Sequence, residues 1–158
     1  MRRPDDACPC GSNATYAMCC APFHAGAEPP DAERLMRARY AAFALGEPRF
    51  LYRTLHRDHE DRARPERDFV ASLEKHVKRA RYRGLRILDR DGPDADGIAR
   101  VLFAVDVAVA GRDASFVELS SFAVDDGGWR YVGGRSMPKR AAGDLDALRI
   151  ATFSVASR

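Results

Sequence analysis

The chain has 158 residues, 46% of them apolar, and a net charge of +3 from 26 basic and 23 acidic side chains. That length fits one ordinary domain plus a small appendage, and the apolar content is enough for a core. No run approaches the ~20 apolar residues of a membrane span, and a nearly balanced charge makes no strong case for nucleic-acid binding. Met1-Arg2-Arg3 is followed by Pro4-Asp5-Asp6 and not by an apolar run, so the expectation is a soluble, cytoplasmic protein without a secretory leader.

Residues 1–7 are polar. The cysteines then come in two tight pairs, Cys8 with Cys10 and Cys19 with Cys20, separated by the eight residues from Gly11 to Met18. Thiolate is a soft ligand, and four thiolates in a tetrahedron suit Zn²⁺. Gly11 tolerates the positive φ that a metal knuckle needs, and Pro9 lowers the cost of ordering the loop. A pair of disulfides or four free thiols are the alternatives; four clustered cysteines in a chain without a leader read as metal first. His24, four residues beyond Cys20, is a spare ligand or a packing and hydrogen-bonding residue.

Ala25 to Pro30 is a linker by composition. Asp31 is placed as an N-cap for a helix over Ala32–Leu45, with Leu35, Met36, Tyr40, Phe43 and Ala44 on one face and Gly46 as the stop. A short helix over Arg49–His56 follows, then a charged loop over 57–65. Pro65 opens a third helix, about Glu66–Arg81, whose apolar face carries Phe69, Leu73 and Val77. His76 lies on that face and reads as a core histidine. Its basic face (Lys75, Lys78, Arg79, Arg81, with Arg83 beyond) is either solvated or a binding surface.

The period then changes to two. Leu85, Ile87 and Leu88 make a first strand, Ile98–Ala110 a long and largely buried second, Phe116–Val124 a third, and Trp129–Val132 a fourth after the hairpin signal Asp125-Asp126-Gly127-Gly128. Three helices followed by four antiparallel strands predict an α+β domain with a sheet packed over helices. Residues 136–158 are open between a terminal helix from Asp144, an edge strand and an interface.

Two resemblances follow from these residues. Cys8-Pro9-Cys10-Gly11-Ser12, Tyr16 and Cys19-Cys20 resemble the SEC-C motif, a small zinc knuckle found at the C-terminus of the SecA translocation motor and on other bacterial proteins. The resemblance implies Cys8, Cys10, Cys19 and Cys20 as ligands of one structural Zn²⁺. Ala32 to Phe43 resembles the "LMRSRYSAF" helix of the YchJ family; Thr54-Leu55-His56, Gly84–Leu88, Val117–Phe122 and Gly128–Gly134 continue the match. That family pairs a SEC-C knuckle with a nuclear transport factor 2-like (cystatin-like) domain, a cone of curved antiparallel sheet over helices. The implied organisation is a knuckle over 1–24, a cone over 31–135 and a tail over 136–158. The sequence departs from the family at Leu55, where Trp is common, at Val117, where His is usual, and at Ser121, where Arg is usual. Some members carry a second knuckle at the C-terminus; here no cysteine follows Cys20.

A cone has an open mouth, and the expected polar lining is Arg37, Arg39, Tyr40, His56, Glu118, Ser120 and Trp129. Acid–base chemistry would need His56 beside Glu118; alternatively Arg39 pairs with Glu118 to lock helix to sheet. No Gly-rich phosphate loop, Ser-His-Asp signature or HExxH is present. A closed four-thiolate zinc is structural. The expectation is a protein-interaction or ligand-binding module that is not an enzyme: the knuckle docks a protein partner, and a small molecule or a second copy of the chain is a further possible occupant or partner. The alternatives are a small-molecule enzyme using His56 and Glu118, and RNA or ribosome contact through the basic helix face.

Overall fold

The structure, a computed structural model, describes residues 3–153. Its helices are α1 (Ala21–His24), α2 (Ala32–Leu45), α3 (Pro48–Arg53) and α4 (Glu66–Arg79). Its strands are β1 (Ala80–Asp91), β2 (Ala99–Val109), β3 (Arg112–Asp113), β4 (Phe116–Asp125) and β5 (Gly128–Pro138). All strand pairings in the sheet are antiparallel, in the order β1-β2-β4-β5, with β3 paired to β2. The α+β cone expected from the sequence is therefore present.

The local reasons are visible in the chain. Asp31 caps α2 by accepting a 2.8 Å bond from the Arg34 amide, and Gly46 ends it at φ 80°. Leu35, Ala38, Ala41 and Ala42 are fully buried on α2 and belong to the one apolar cluster that also holds Val101, Phe103, Val105 and Phe122 of the sheet. The linker is tied down as well: Arg130 of β5 holds Glu28 with two bonds, at 2.9 and 3.1 Å.

Several boundaries differ from the sequence expectation: α3 ends at Arg53, short of His56, and β5 runs on past Val132 to Pro138. α4 stops at Arg79, and β1 starts at once and runs twelve residues. The first half of that strand, Arg81 to Arg86, alternates exposed arginines with half-buried Tyr82 and Leu85, and Arg81 and Arg83 read as the continuation of the basic face of the helix. The sheet is also buried on both faces at β2, where apolar and nominally outward positions are equally covered.

The tail supplies the second cover. Phe153, Leu145, Leu148 and Ile150 pack with Leu102, Ala104, Val117 and Leu119 on the convex face. Lys139 donates to Asp106 at 2.6 Å, the Ile150 amide donates to Asp89 at 2.9 Å, and Arg86 pairs with Asp146. Residues 136–138 continue β5, and the described residues after them, 139–153, are two short 3₁₀ turns joined by irregular chain, with no terminal helix from Asp144 and no added strand. Residues 154–158 of the tail lie outside the described residues, as do residues 1 and 2 of the N-terminus. Phe153→Ala should cost about 2–4 kcal/mol, because it opens a cavity over Leu102 and Leu119; thermal or urea unfolding measures it.

At the far end of β4, the largely buried Asp125 accepts the Arg57 amide at 2.9 Å and the Arg57 Nε at 2.8 Å, closing the loop after α3 onto the sheet. The Arg57 hydrogen bonds hold the Asp125 carboxyl down at about 2. Its folded value lies below the usual ~3.9 of an unfolded Asp, so its stabilisation is present above about pH 4 and is lost as pH falls from about 4 to about 2. Asp125→Asn should therefore lower the melting temperature at pH 7, with the gap to wild type closing over that acid window in melts recorded against pH.

Candidate functional site

Four thiols meet where the N-terminal knuckle enters the core. The first pair turns at Gly11, at φ 80°, with its amide donating to the Cys8 carbonyl at 3.3 Å; the Cys8 amide closes the loop on Ala14 at 2.9 Å. All four cysteines are free, all are buried, and their Sγ atoms lie within 4.8 Å of one another. The Cys10–Cys19 and Cys19–Cys20 separations are 3.6 and 3.9 Å. Those distances are far beyond the ~2.05 Å of a disulfide. They match the edge of about 3.8 Å in a tetrahedron of sulfurs, each about 2.3 Å from a central ion. The donor set thus fits a metal ion bound by four thiolates.

Electrostatics point the same way. Hydrogen bonds from the Cys20 and Cys8 thiols hold Cys10 well below the usual thiol range. Donating to Cys10 pushes Cys8 up to about 11 and raises Cys20 further. One sulfur thus collects the protons of its neighbours, and a cation among them would displace those protons. Ser12 Oγ lies 3.1 Å from Cys19 Sγ and orients that ligand. His24 is not among the converging ligands. Its Nε2 donates to the Ala38 carbonyl at 2.8 Å, and its Nδ1 accepts from the Tyr16 hydroxyl at 2.7 Å. Burial lowers its pKa, consistent with a neutral ring fixed in one tautomer.

The knuckle is built into the cone and does not stand apart from it. The sulfurs share one apolar cluster with Leu35, Phe50 and Phe23. Arg37 donates from Nη1 to the Cys10 carbonyl at 2.8 Å and from Nε to Glu33 at 3.0 Å, and Arg53 donates to the Phe23 carbonyl at 2.9 Å. Arg37 therefore serves the knuckle and lines no part of the cone's interior.

The second feature is a cavity of about 160 Å³ between α2 and the sheet. α2 contributes Met36, Arg39, Tyr40 and Phe43. Tyr82, Phe103 and Val105 come from β1 and β2, and Phe116, Glu118, Ser120, Phe122 and Tyr131 from β4 and β5. Arg39 is buried and donates from Nη1 to the Leu51 carbonyl at 2.9 Å and to Thr54 Oγ1 at 2.6 Å, with its guanidinium 4.6 Å from the centre of the Tyr131 ring. Burial lowers it to about 10, so it remains a cation at neutral pH. Glu118 accepts from Ser120 and, at 3.0 Å, from the Tyr131 hydroxyl. Burial raises Tyr131 and pushes Tyr40 and Tyr82 up to about 12, so these phenols stay protonated donors.

Of the residues expected in the cone, Arg39, Tyr40, Glu118 and Ser120 meet at this cavity. Among the described residues Arg39 and Glu118 form no ion pair, so the expected lock of α2 to the sheet is absent; Thr54 and Leu51 take the Arg39 bonds instead. His56 does not line the cavity. Its amide donates to the Tyr131 carbonyl, opposite Phe122 and four residues along β4 from Glu118, about 13 Å at ~3.3 Å per residue. Its Nδ1 accepts from the Asp58 amide at 3.1 Å. The His56–Glu118 acid–base pair is therefore not assembled. Trp129 faces a separate surface cleft with Asp31, Ala32 and Arg90. His76 bonds the Tyr82 hydroxyl at 2.8 Å and packs on Phe43, a packing role as expected. Lys75, Lys78, Arg79, Arg81 and Arg83 are exposed at the end of α4 and the start of β1.

Sequence reasoning missed Tyr131 and the aromatic walls. Phe116, Glu118, Ser120 and Phe122 alternate with convex-facing Val117 and Leu119 on β4, and that parity was the available signal. Gly134, opposite Ser120, leaves room for the carboxylate: a Cβ there would stand 2.8 Å from the Glu118 Cδ and 2.9 Å from the Tyr131 hydroxyl, and closer still to a Glu118 oxygen. Gly134→Ala should therefore displace Glu118 and shift the NMR signals of Ser120 and Tyr131, while costing about 1–3 kcal/mol in unfolding experiments.

The chain matches the family model described as "YchJ, middle NTF2-like domain" over residues 31–134 and the SEC-C motif over residues 6–22. A UPF0225 protein of Bordetella parapertussis is 38% identical over 140 residues, covering 85% of this chain and 98% of that protein. A UPF0225 protein of Bordetella bronchiseptica is 39% identical, covering 81% and 91%. Among solved structures, a SEC-C motif containing protein from Psychrobacter arcticus superposes with a TM-score of 0.67 at 21% identity, over 82% of each chain. The solution structure of a SEC-C motif containing protein from Rhodopseudomonas palustris gives 0.65 at 29% identity, over 81% of this chain and 96% of that one. With a cysteine knuckle at its N-terminus and this helix-covered cone behind it, the chain belongs to the YchJ family.

Proposed function

We propose that the chain is a zinc-stapled ligand-binding module. Zinc joins the knuckle to the core, and the cone holds a small amphipathic molecule. The observation that carries this reading is the aromatic-walled cavity with Arg39 and Glu118 on its lining. Its 160 Å³ is close to the ~150 Å³ of an apolar cavity that admits benzene. Four thiolates leave zinc no open position, which suits a structural ion and not a catalytic one.

Metal analysis of protein purified without chelator should give one zinc per chain, and cobalt substitution should give a four-thiolate spectrum. Stripping the metal should lower the melting temperature by about 10 °C or more, because it leaves four buried sulfurs without their cation. Absence of metal, or a melt indifferent to its removal, would remove the staple. For the cavity, toluene should perturb the methyl signals of Met36 and Val105, and Val105→Phe, which fills the space, should abolish the response at Met36.

A second reading is that the knuckle also docks a protein partner. It is favoured by Met18, which is 79% exposed in the knuckle, where Gly11, Ser12, Asn13 and Ala17 are exposed as well. A partner whose binding to the metal-loaded chain is lost in Met18→Glu, with melting unchanged, would support it; a partner indifferent to Met18 would count against it.

A further inference from the structure

The lining of the cavity restricts its ligand. Arg39 uses Nη1 for Leu51 and Thr54, and its Nε and Nη2 have no hydrogen bond among the described residues. Glu118 receives both of its hydrogen bonds on Oε2, which leaves Oε1 unbonded. Among the described residues no fully buried side-chain nitrogen or oxygen lacks a partner, so these three free atoms adjoin open space, and the space both residues line is the cavity. A cation and an anion thus look into one small chamber without closing on each other.

Three classes of ligand fit poorly. A purely apolar molecule would strip water from both groups and leave them unpaired. An anion or a cation would add a third buried charge to a pair that is already balanced. What fits is a neutral head offering an acceptor and a donor side by side. The rest of the chamber is built for a ring: Phe43, Phe103, Phe116, Phe122 and Tyr82 wall it, with Met36 among them. Phe43, Tyr82 and Phe116 are half-buried and mark its outer side, while Ser120 and Phe122 are buried at its floor.

We propose that the cavity takes a neutral aromatic or heteroaromatic carboxamide, or the equivalent lactam edge of a ring. Its carbonyl accepts from Arg39, its N–H donates to Glu118, and its ring lies among the phenylalanines. This rests on the ligand-binding reading above and specifies the chemistry of the head group.

The test uses the full metal-loaded chain and four probes of one ring each: benzamide, benzoate, benzylamine and toluene, titrated by NMR on the Met36 and Val105 methyl signals. Benzamide should bind about tenfold or more tighter than each of the others. Glu118→Gln should weaken benzamide about fivefold or more and leave toluene unchanged; this variant keeps the Ser120 and Tyr131 bonds available and avoids removing buried Arg39. Toluene binding as tightly as benzamide would overturn the carboxamide head while leaving a ligand cavity. Benzoate or benzylamine binding tightest would also overturn it, assigning the head to an anion or a cation. Benzamide binding unaffected by Glu118→Gln would overturn the donor contact. If no probe moved the cavity signals, both this inference and the ligand-binding reading would fall.

Discussion

Four sulfurs are sealed into the same apolar cluster as Leu35 and Phe50, and a thiolate in such surroundings is costly unless a cation or a proton compensates it. Without a metal, the compensation is a set of protons shared around Cys10. With one, the protons leave and four chain positions are fixed at a single point. Most of the N-terminal third depends on that point. Among its described residues the knuckle has little regular structure, a 3₁₀ turn at Tyr16–Met18, the one-turn α1 and a single antiparallel bridge between Ala7 and Thr15, so few backbone hydrogen bonds hold it in place.

α2 carries the consequence into the cone. One side of it faces the knuckle, through Arg37 at the Cys10 carbonyl and through Ala38, whose carbonyl takes the His24 bond. Neighbouring positions Met36, Arg39, Tyr40 and Phe43 line the cavity. Residues adjacent in sequence but turned about 100° from one another around a helix thus serve two different sites. The knuckle and the cavity share α2 as a wall, so loosening the sulfurs would also loosen the placement of Arg39.

Much of this was legible in the sequence. The cysteine spacing, the Asp31 cap, the Gly46 stop and the alternation in β2 each have a short-range physical cause, and each is legible in the sequence. Arg39, Tyr40, Glu118 and Ser120 were expected at the cavity because the family resemblance implied a cone with a polar lining, and the cavity has all four on its lining. His56 and Arg37 were misplaced into the cone because their actual partners, Asp58 for one and the Cys10 carbonyl for the other, are fixed by loop geometry that no periodicity encodes. The early start of β1 was hidden by Arg81 and Arg83, exposed residues on an edge strand that read equally well as an extension of the basic helix face. Charged side chains on such an edge also discourage pairing with a foreign strand.

The tail on the convex face has a consequence for assembly. A sheet with Leu102, Ala104, Val117 and Leu119 on its outer side presents a surface that another sheet could stack on. Here the covering segment belongs to the same chain, so it competes at a local concentration set by its short tether, on the order of millimolar. A second copy approaching through solution at micromolar concentration meets a surface already occupied. Association through this face thus requires the tail to be displaced or exchanged between chains, and the fold carries its own competitive inhibitor of face-to-face dimerisation.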